Sequence, residues 1–386
     1  SPPPSPEEEQ RRAIQALVRE AAARSPYGYF EEHPVPSTRE ELLERLRQGR
    51  PTPLVWTPET LGVVPTWTVP YLFEAYRAHG LRHARNLVVF WGAVAGLLGI
   101  AVATAAAGTS ALLFAMLAGV LLVHSAVEYR TFRALTPDKL RTEVREIRSR
   151  PPPRRGPPRM TRLLAGVVAA VFVAQVLPGI VEGAGPQPAI DAAVREVGID
   201  KEAVRQGWWW LLLTGTVVHG HVLHFVMNAL GLMALGRILE AFSHRAFVPL
   251  VFLLSAIGGS VASQLLLPEG FSVGASGGIM GMFGFLAVMA VRRRHLMPPG
   301  VGRAIAVDVG VIVMMGIVGY GLIDNAAHGG GMLAGALVGV ALIPKTGAEA
   351  YWDPPRWVQA AGHIALAGVI GIAALAIYLI ARLYLG

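Results

Sequence analysis

The sequence predicts an all-α polytopic membrane protein of about nine spans, with a six-helix core, an extra transmembrane hairpin before it and an extra transmembrane helix after it. Three observations carry this. Of 386 residues, 53% are hydrophobic and only 16% charged, against about 25% charged in an average soluble domain. The mean hydropathy is +0.46. Nine apolar runs stand in the chain, and each approaches the roughly 20 residues a helix needs to cross about 30 Å of hydrocarbon.

Composition narrows the chemistry. With no cysteine, disulfide frameworks, thiolate nucleophiles, cysteine zinc sites and cysteine-ligated iron-sulfur clusters are excluded. The excess of 34 Lys and Arg over 26 Asp and Glu points to membrane topology and anionic lipid headgroups rather than to nucleic acid. Lys139, Lys201 and Lys345 are the lysines. The arginine, alanine, glycine and proline richness suggests a GC-rich source genome, and a bacterial inner membrane is the expected location. The chain opens on Ser1 and Pro2, a start expected to be processed, trimmed or engineered.

Residues 1–85 form a polar, proline-punctuated aqueous region with two amphipathic candidates, Glu7 to Ala23 and Thr38 to Arg47. Ser37 to Glu41 resembles a helix start. Trp56, Trp67, Tyr71 and Phe73 are expected either to pack on one another or to lie at the bilayer interface. Runs at 86–106 and 109–127 make the transmembrane hairpin, domain 86–127. The segment 128–162 follows; between Arg130 and Arg162 it holds eleven Lys or Arg against three acids. With Pro151 to Pro153 and Pro157-Pro158, it reads as a stiff, extended, basic linker on the cytoplasmic face.

The core, 163–345, holds runs at 163–181, 222–240, 247–266, 276–291, 303–321 and 327–344; a last run at 359–384 lies in the C-terminal segment 346–386. Basic connections follow core spans two, four and six: His244-Arg245, Arg292 to Arg303, and Lys345 with Arg356. That alternation puts them, and the N-terminus, in the cytoplasm. The long first loop, 182–221, lies on the opposite side, and its Gly207 to Trp210 stretch looks like an interfacial belt.

Polar groups inside spans are costly and mark function by default. In span two, His224 and Asn228 are spaced i, i+4 on one helical face, with His219 and His221 just before it. Gly274-Ala275-Ser276-Gly277-Gly278 opens span four. Asp324 to His328 opens span six, followed by Gly331, Gly335 and Gly339. All three groups lie at the same, non-cytoplasmic ends of their spans, where they can meet. A serine hydroxyl needs a base to become a nucleophile, and His328 is the histidine in the later core spans able to serve. The Asn228 amide, a His224 N–H and the Ser276 N–H at a helix N-terminus are candidate donors to the oxyanion. Glycines at i, i+4 and i+8 allow the close helix approach that brings Ser276 to His328.

These residues resemble the rhomboid family of intramembrane serine proteases. The resemblance covers about residues 160–345 and consists of His-x-x-x-Asn at His224 to Asn228, Gly-x-Ser-Gly at Gly274 to Gly277, and Ala-His-x-x-Gly-x-x-x-Gly at Ala327 to Gly335. Order, spacing and common membrane depth make the joint signal specific. The resemblance implies a six-helix core, a Ser-His dyad cleaving transmembrane segments through an acyl-enzyme, no cofactor and no metal. Position by position, it implies Ser276 as nucleophile, His328 as base and later acid, and an oxyanion hole of His224, Asn228 and Ser276. Gly274, Gly277, His219, Met280, Gly331 and Gly335 are expected to support them. Met280 departs from the family, where many relatives carry an aromatic that packs on the catalytic histidine. Arg237 and Glu240 are expected to pair at the cytoplasmic end of span two. The partners implied are transmembrane-helix substrates and membrane lipids.

Bland readings stand beside these. Asp324 either caps span six or orients His328 as a third triad member. His219, His221 and His224 lack the carboxylates that would complete a zinc shell. An α/β-hydrolase would need a strand before Ser276, where Pro268 to Phe271 makes a turn between runs too long for strands. A non-proteolytic rhomboid-like protein that retains client helices is the other alternative.

Overall fold

In a computed structural model, residues 20–30, 33–50, 54–60, 64–103, 109–148, 156–267, 269–294, 296–297, 301–318, 323–345 and 353–385 are described. The chain divides into two compact units, Ser1–Glu146 and Ile147–Gly386.

The first unit contains a small sheet that the sequence reading did not foresee. Strands β1 (Tyr27–Phe30), β2 (Pro34–Ser37), β3 (Leu54–Trp56) and β4 (Val64–Pro65) pair antiparallel in the order β2-β1-β3-β4. Helix α1 (Arg39–Arg47) starts on a capping box, with the Thr38 hydroxyl accepting from the Glu41 N–H and the Glu41 carboxylate accepting from the Thr38 N–H. That pairing and the Ser37 hydroxyl hold the Glu41 carboxyl below its ordinary value. Leu42, Leu46, Val55, Val69 and Leu72 form the unit's core. Trp56 and Phe73 are buried, so they pack rather than face lipid; the Trp67 side chain lies outside the described residues. The candidate helix at Glu7 to Ala23 lies for the most part outside them too.

Helices α2 (Pro70–Ala103) and α3 (Thr109–Arg133) pack together as the expected hairpin. Two boundaries need correction. Helix α2 begins at Pro70, sixteen residues before the apolar run, because no breaker separates the amphipathic stretch from it. The linker is not extended throughout: α4 covers Pro137–Arg148. Pro137 stands in its first turn, where a missing N–H costs nothing, and Asp138 faces Arg141 at 3.6 Å. Pro151 to Pro153 lie outside the described residues.

The second unit is the helical core. Its long helices are α5 (Arg159–Val181), α9 (Val222–Phe242), α10 (Phe247–Leu266), α11 (Ser276–Arg292), α12 (Val301–Val318), α13 (Asn325–Leu342) and α14 (Arg356–Leu385). Among the described residues, each apolar run read from the sequence is thus helical. Among the described residues, α2, α5, α9, α10, α13 and α14 are long and apolar enough to cross a membrane, and the chain is a multi-pass membrane protein. Helix α11, 17 residues and so about 26 Å long, is shorter.

Helix α13 packs against both α10 and α11. Glycine makes this possible. A Cβ on Gly331 would stand 2.9 Å from the Gly277 Cα, and one on Gly284 would stand 2.9 Å from the Ala336 N, so the backbones touch as in membrane helix pairs rich in small residues. The first loop is ordered into α6 (Pro186–Val197), β5 (Ile199–Asp200), α7 (Lys201–Arg205) and α8 (Leu211–Thr214). Strand β5 pairs with β6 (Phe271–Ser272), which directly precedes the Gly274 to Gly278 stretch. Trp208 and Trp210 stack, and Trp208 and Trp209 are exposed, as an interfacial belt requires.

At the other end of α9, Glu240 does not pair with Arg237. Its carboxylate accepts from the Thr161 N–H at 2.7 Å and the Thr161 hydroxyl at 2.6 Å. The start of α5 has no capping side chain of its own at Pro158, and Glu240 supplies the missing acceptor from across the bundle.

Candidate active site

Ser276 is the first residue of α11, and the preceding Ala275 makes no side-chain cap. The first backbone N–H groups of this helix are therefore open to an anion, and the helix dipole favours one there. The segment before it turns sharply at Gly274, whose φ is +124°. A side chain there would be strained and crowded: its Cβ would lie 2.9 Å from the His224 Nε2 and 3.8 Å from the Ser276 Oγ. The His224 ring and the Ser276 hydroxyl thus flank the same small space.

His328 arrives from α13. A Cβ on Gly277 would stand 3.6 Å from the Ala327 carbonyl oxygen, so the residue after Ser276 lies against the residue before His328. Ser276, His224 and His328 are each partly exposed, whereas Asn228 is buried and its amide donates to the His224 carbonyl at 2.8 Å. One amide hydrogen of Asn228 remains for another acceptor. Gly277, Gly331 and Gly335 lie buried at the α11–α13 contact, and Met280 is buried in the core.

Asp324 caps α13. Its Oδ1 accepts from the Ala327 N–H at 2.8 Å. Its Oδ2 is engaged by the Ser263 hydroxyl and by the Ser272 hydroxyl at 2.5 Å, with the Lys201 Nζ at 3.9 Å. The His328 Nδ1 has no hydrogen-bond partner among the described residues, so of the two readings of Asp324 the geometry takes the cap. Burial alone would raise the Asp324 carboxyl, but Ser263, Ser272, the Ala327 N–H and Lys201 together hold it below its ordinary value. Burial lowers Lys201, against the opposing pull of Asp324.

His219 is fully buried. Its hydrogen bonds are made by its backbone: the N–H donates to Gln175 Oε1 and the carbonyl accepts from Gln175 Nε2, both at 2.9 Å. The ring stands edge-on to Phe172, Phe225 and His224, and burial, then His224, push its imidazole well below the ordinary value, so it is neutral. Among the described residues, no three His, Asp or Glu side chains converge as a metal site would need. Gln175 and Lys201 were missed from sequence. Gln175 carried a signal, a lone amide in an apolar span.

Residues 206–345 match the family described as the Rhomboid domain. This stretch of the chain is a rhomboid domain. The chain is 34% identical over 154 residues to the Rhomboid protease GluP of Bacillus subtilis, covering 39% of this chain and 29% of that protein. It is 33% identical over 153 residues to RHOMBOID-like protein 4 of Arabidopsis thaliana, covering 38% and 37%. With the Putative rhomboid protease YdcA of Bacillus subtilis the identity is 28% over 143 residues, covering 37% and 71%. The chain thus spans well under two thirds of the first two relatives. The rhomboid domain contains Ser276, His328, His224 and Asn228, while α2, α3 and α14 lie outside it.

Proposed function

We propose that this rhomboid-domain protein is an intramembrane serine endopeptidase that cleaves transmembrane segments of other membrane proteins. The reading is supported by the proximity of three groups: Ser276 on an uncapped helix N-terminus, the His224 ring beside Gly274, and His328 one residue from the Gly277–Ala327 contact. The likeness to a relative named a protease, GluP, supports peptide hydrolysis.

In this reading His328 takes the Ser276 Oγ proton as the oxygen attacks a peptide carbonyl carbon. The carbonyl oxygen becomes an oxyanion, held by the Ser276 N–H, the free Asn228 amide hydrogen and the His224 ring. The C–N bond breaks as His328 returns the proton to the departing amine, leaving an acyl-Ser276. Water, deprotonated by His328, then releases the acid and restores the serine. His328 works with Ser276 as a dyad, because Asp324 is occupied as a cap. Helical carbonyls are hydrogen-bonded, so the substrate must unwind locally to present one. The site opens to the non-cytoplasmic side of a bacterial inner membrane, on the positive-inside argument from Arg292 to Arg303. Residues 1–127 recruit substrates or regulate access.

A fluorophosphonate probe applied to the detergent-solubilised protein tests this, with the adduct located by mass spectrometry. Labelling at Ser276 that Ser276→Ala and His328→Ala both abolish is expected. A folded wild type that neither labels nor cuts a transmembrane substrate would overturn it in favour of a client-binding rhomboid protein.

A further inference from the structure

Lys201 is the unexpected residue of the first loop. Its side chain is 2% exposed, a state that an ammonium tolerates only when paired and hydrogen-bonded. The Lys201 ammonium donates to the Ser263 hydroxyl on α10, and that hydroxyl donates in turn to Asp324 Oδ2. The Ser272 hydroxyl donates to the same oxygen, and Lys201 Nζ stands 3.9 Å from it. One carboxylate therefore gathers four segments: α7 of the first loop, α10, β6 and the start of α13.

The two ends of this cluster run directly to the site. Asp324 is one turn before His328, whose backbone N–H donates to the Asp324 carbonyl at 3.1 Å. Ser272 is four residues before Ser276. Backbone contacts fix the loop around the same point: Lys201 N–H donates to the Gly270 carbonyl, Gly274 N–H donates to the Gly215 carbonyl, and the Gln264 side chain donates to the Lys201 carbonyl. Removing Lys201 leaves a partly buried carboxylate without its cation. The first turn of α13 is then free to shift against β6, and a displacement of about 1 Å between reacting groups is enough to cost on the order of 10²-fold in rate.

We infer that the Lys201–Asp324 pair, completed by Ser263 and Ser272, is a positioning device that sets His328 on α13 against the loop carrying Ser276. The inference rests on the reading of these two as base and nucleophile. Lys201 touches neither reacting atom; it acts through Asp324 and the helix that Asp324 caps.

The test uses the full-length protein in proteoliposomes, with kcat and KM measured on a transmembrane substrate and the rate of fluorophosphonate labelling at Ser276 followed below the melting temperature of each variant. Lys201→Met is expected to lower kcat and the labelling rate tenfold or more with KM within twofold of wild type. Ser263→Ala, which keeps both charges, is expected to act in the same direction. Lys201→Met combined with Asp324→Asn is expected to be no slower than the slower single variant, since both cut one connection. Folded Lys201→Met and Ser263→Ala with wild-type kcat, or losses that multiply in the double variant, would overturn the inference. Should wild-type Ser276 fail to label, the catalytic reading falls separately. The anchor is then judged by hydrogen exchange at the Ala327 and His328 amides: at least tenfold faster in Lys201→Met supports it, and unchanged exchange overturns it.

Discussion

Gln175 grips the backbone of His219 with two hydrogen bonds of 2.9 Å each, and both residues are fully buried. This fixes the strand of chain entering α9 five residues before His224, so a side chain on α5 sets the height of an oxyanion candidate. Gln175→Leu leaves a buried N–H and a buried carbonyl unpaired, each worth about 1–3 kcal/mol. A lower melting temperature and slower labelling of Ser276 are expected, measured together in detergent. An unchanged melting temperature would show that another group takes over both bonds.

The α11–α13 contact admits no side chain at its glycines. A Cβ on Gly335 would fall 2.5 Å from the Gly281 Cα, and backbone on both sides cannot yield as a flexible side chain can. Gly335→Val is expected to cost about 1–3 kcal/mol or more as overpacking and to abolish labelling at Ser276. Gly329→Ala, where nothing lies within 4 Å of the added carbon, is the control and is expected to leave the melting temperature within about 1 °C, as for a surface change of under ~0.5 kcal/mol.

The helices and the candidate site were legible in the sequence for the same physical reason. Long apolar runs have few solutions in lipid, and a serine, two histidines and an asparagine at the ends of such runs are costly enough to stand out. Strands β1 to β4 were illegible because they are two to four residues long and carry Pro34, Pro36 and Pro65, which read as loop. Lys201 carries no local signal, because its partners Ser263 and Asp324 lie about 60 and 120 residues away in sequence, beyond any local pattern. Glu240 misled for the opposite reason: Arg237 lies one turn away, yet the uncapped start of α5 is the stronger claim on its carboxylate.

That competition is measurable. Glu240→Ala removes two hydrogen bonds from Thr161, one of them to a backbone N–H at a helix start, and is expected to cost about 1–2 kcal/mol, the usual worth of a cap. Arg237→Ala, exposed and paired with neither Glu240 nor any other described carboxylate, is expected to change stability by less than about 0.5 kcal/mol. Melting curves of both variants decide between the cap and a salt bridge; equal losses would restore the bridge.

The Asp324 carboxyl supplies an acid-sensitive contribution to stability. Its value in the folded protein lies below its ordinary 3.8, so the unfolded chain binds the proton more readily than the folded one between the two values. The contribution is fully present above the ordinary value and is lost as pH falls through the folded one. Wild type is therefore expected to melt at a higher temperature than Asp324→Asn at pH 7, with the gap narrowing as the pH drops below about 4, near the usual carboxylate range. Differential scanning fluorimetry in detergent from pH 7 to pH 3 reads this directly. No gap at any pH would mean that the capping bond to Ala327, which asparagine can also make, is the whole of what Asp324 contributes.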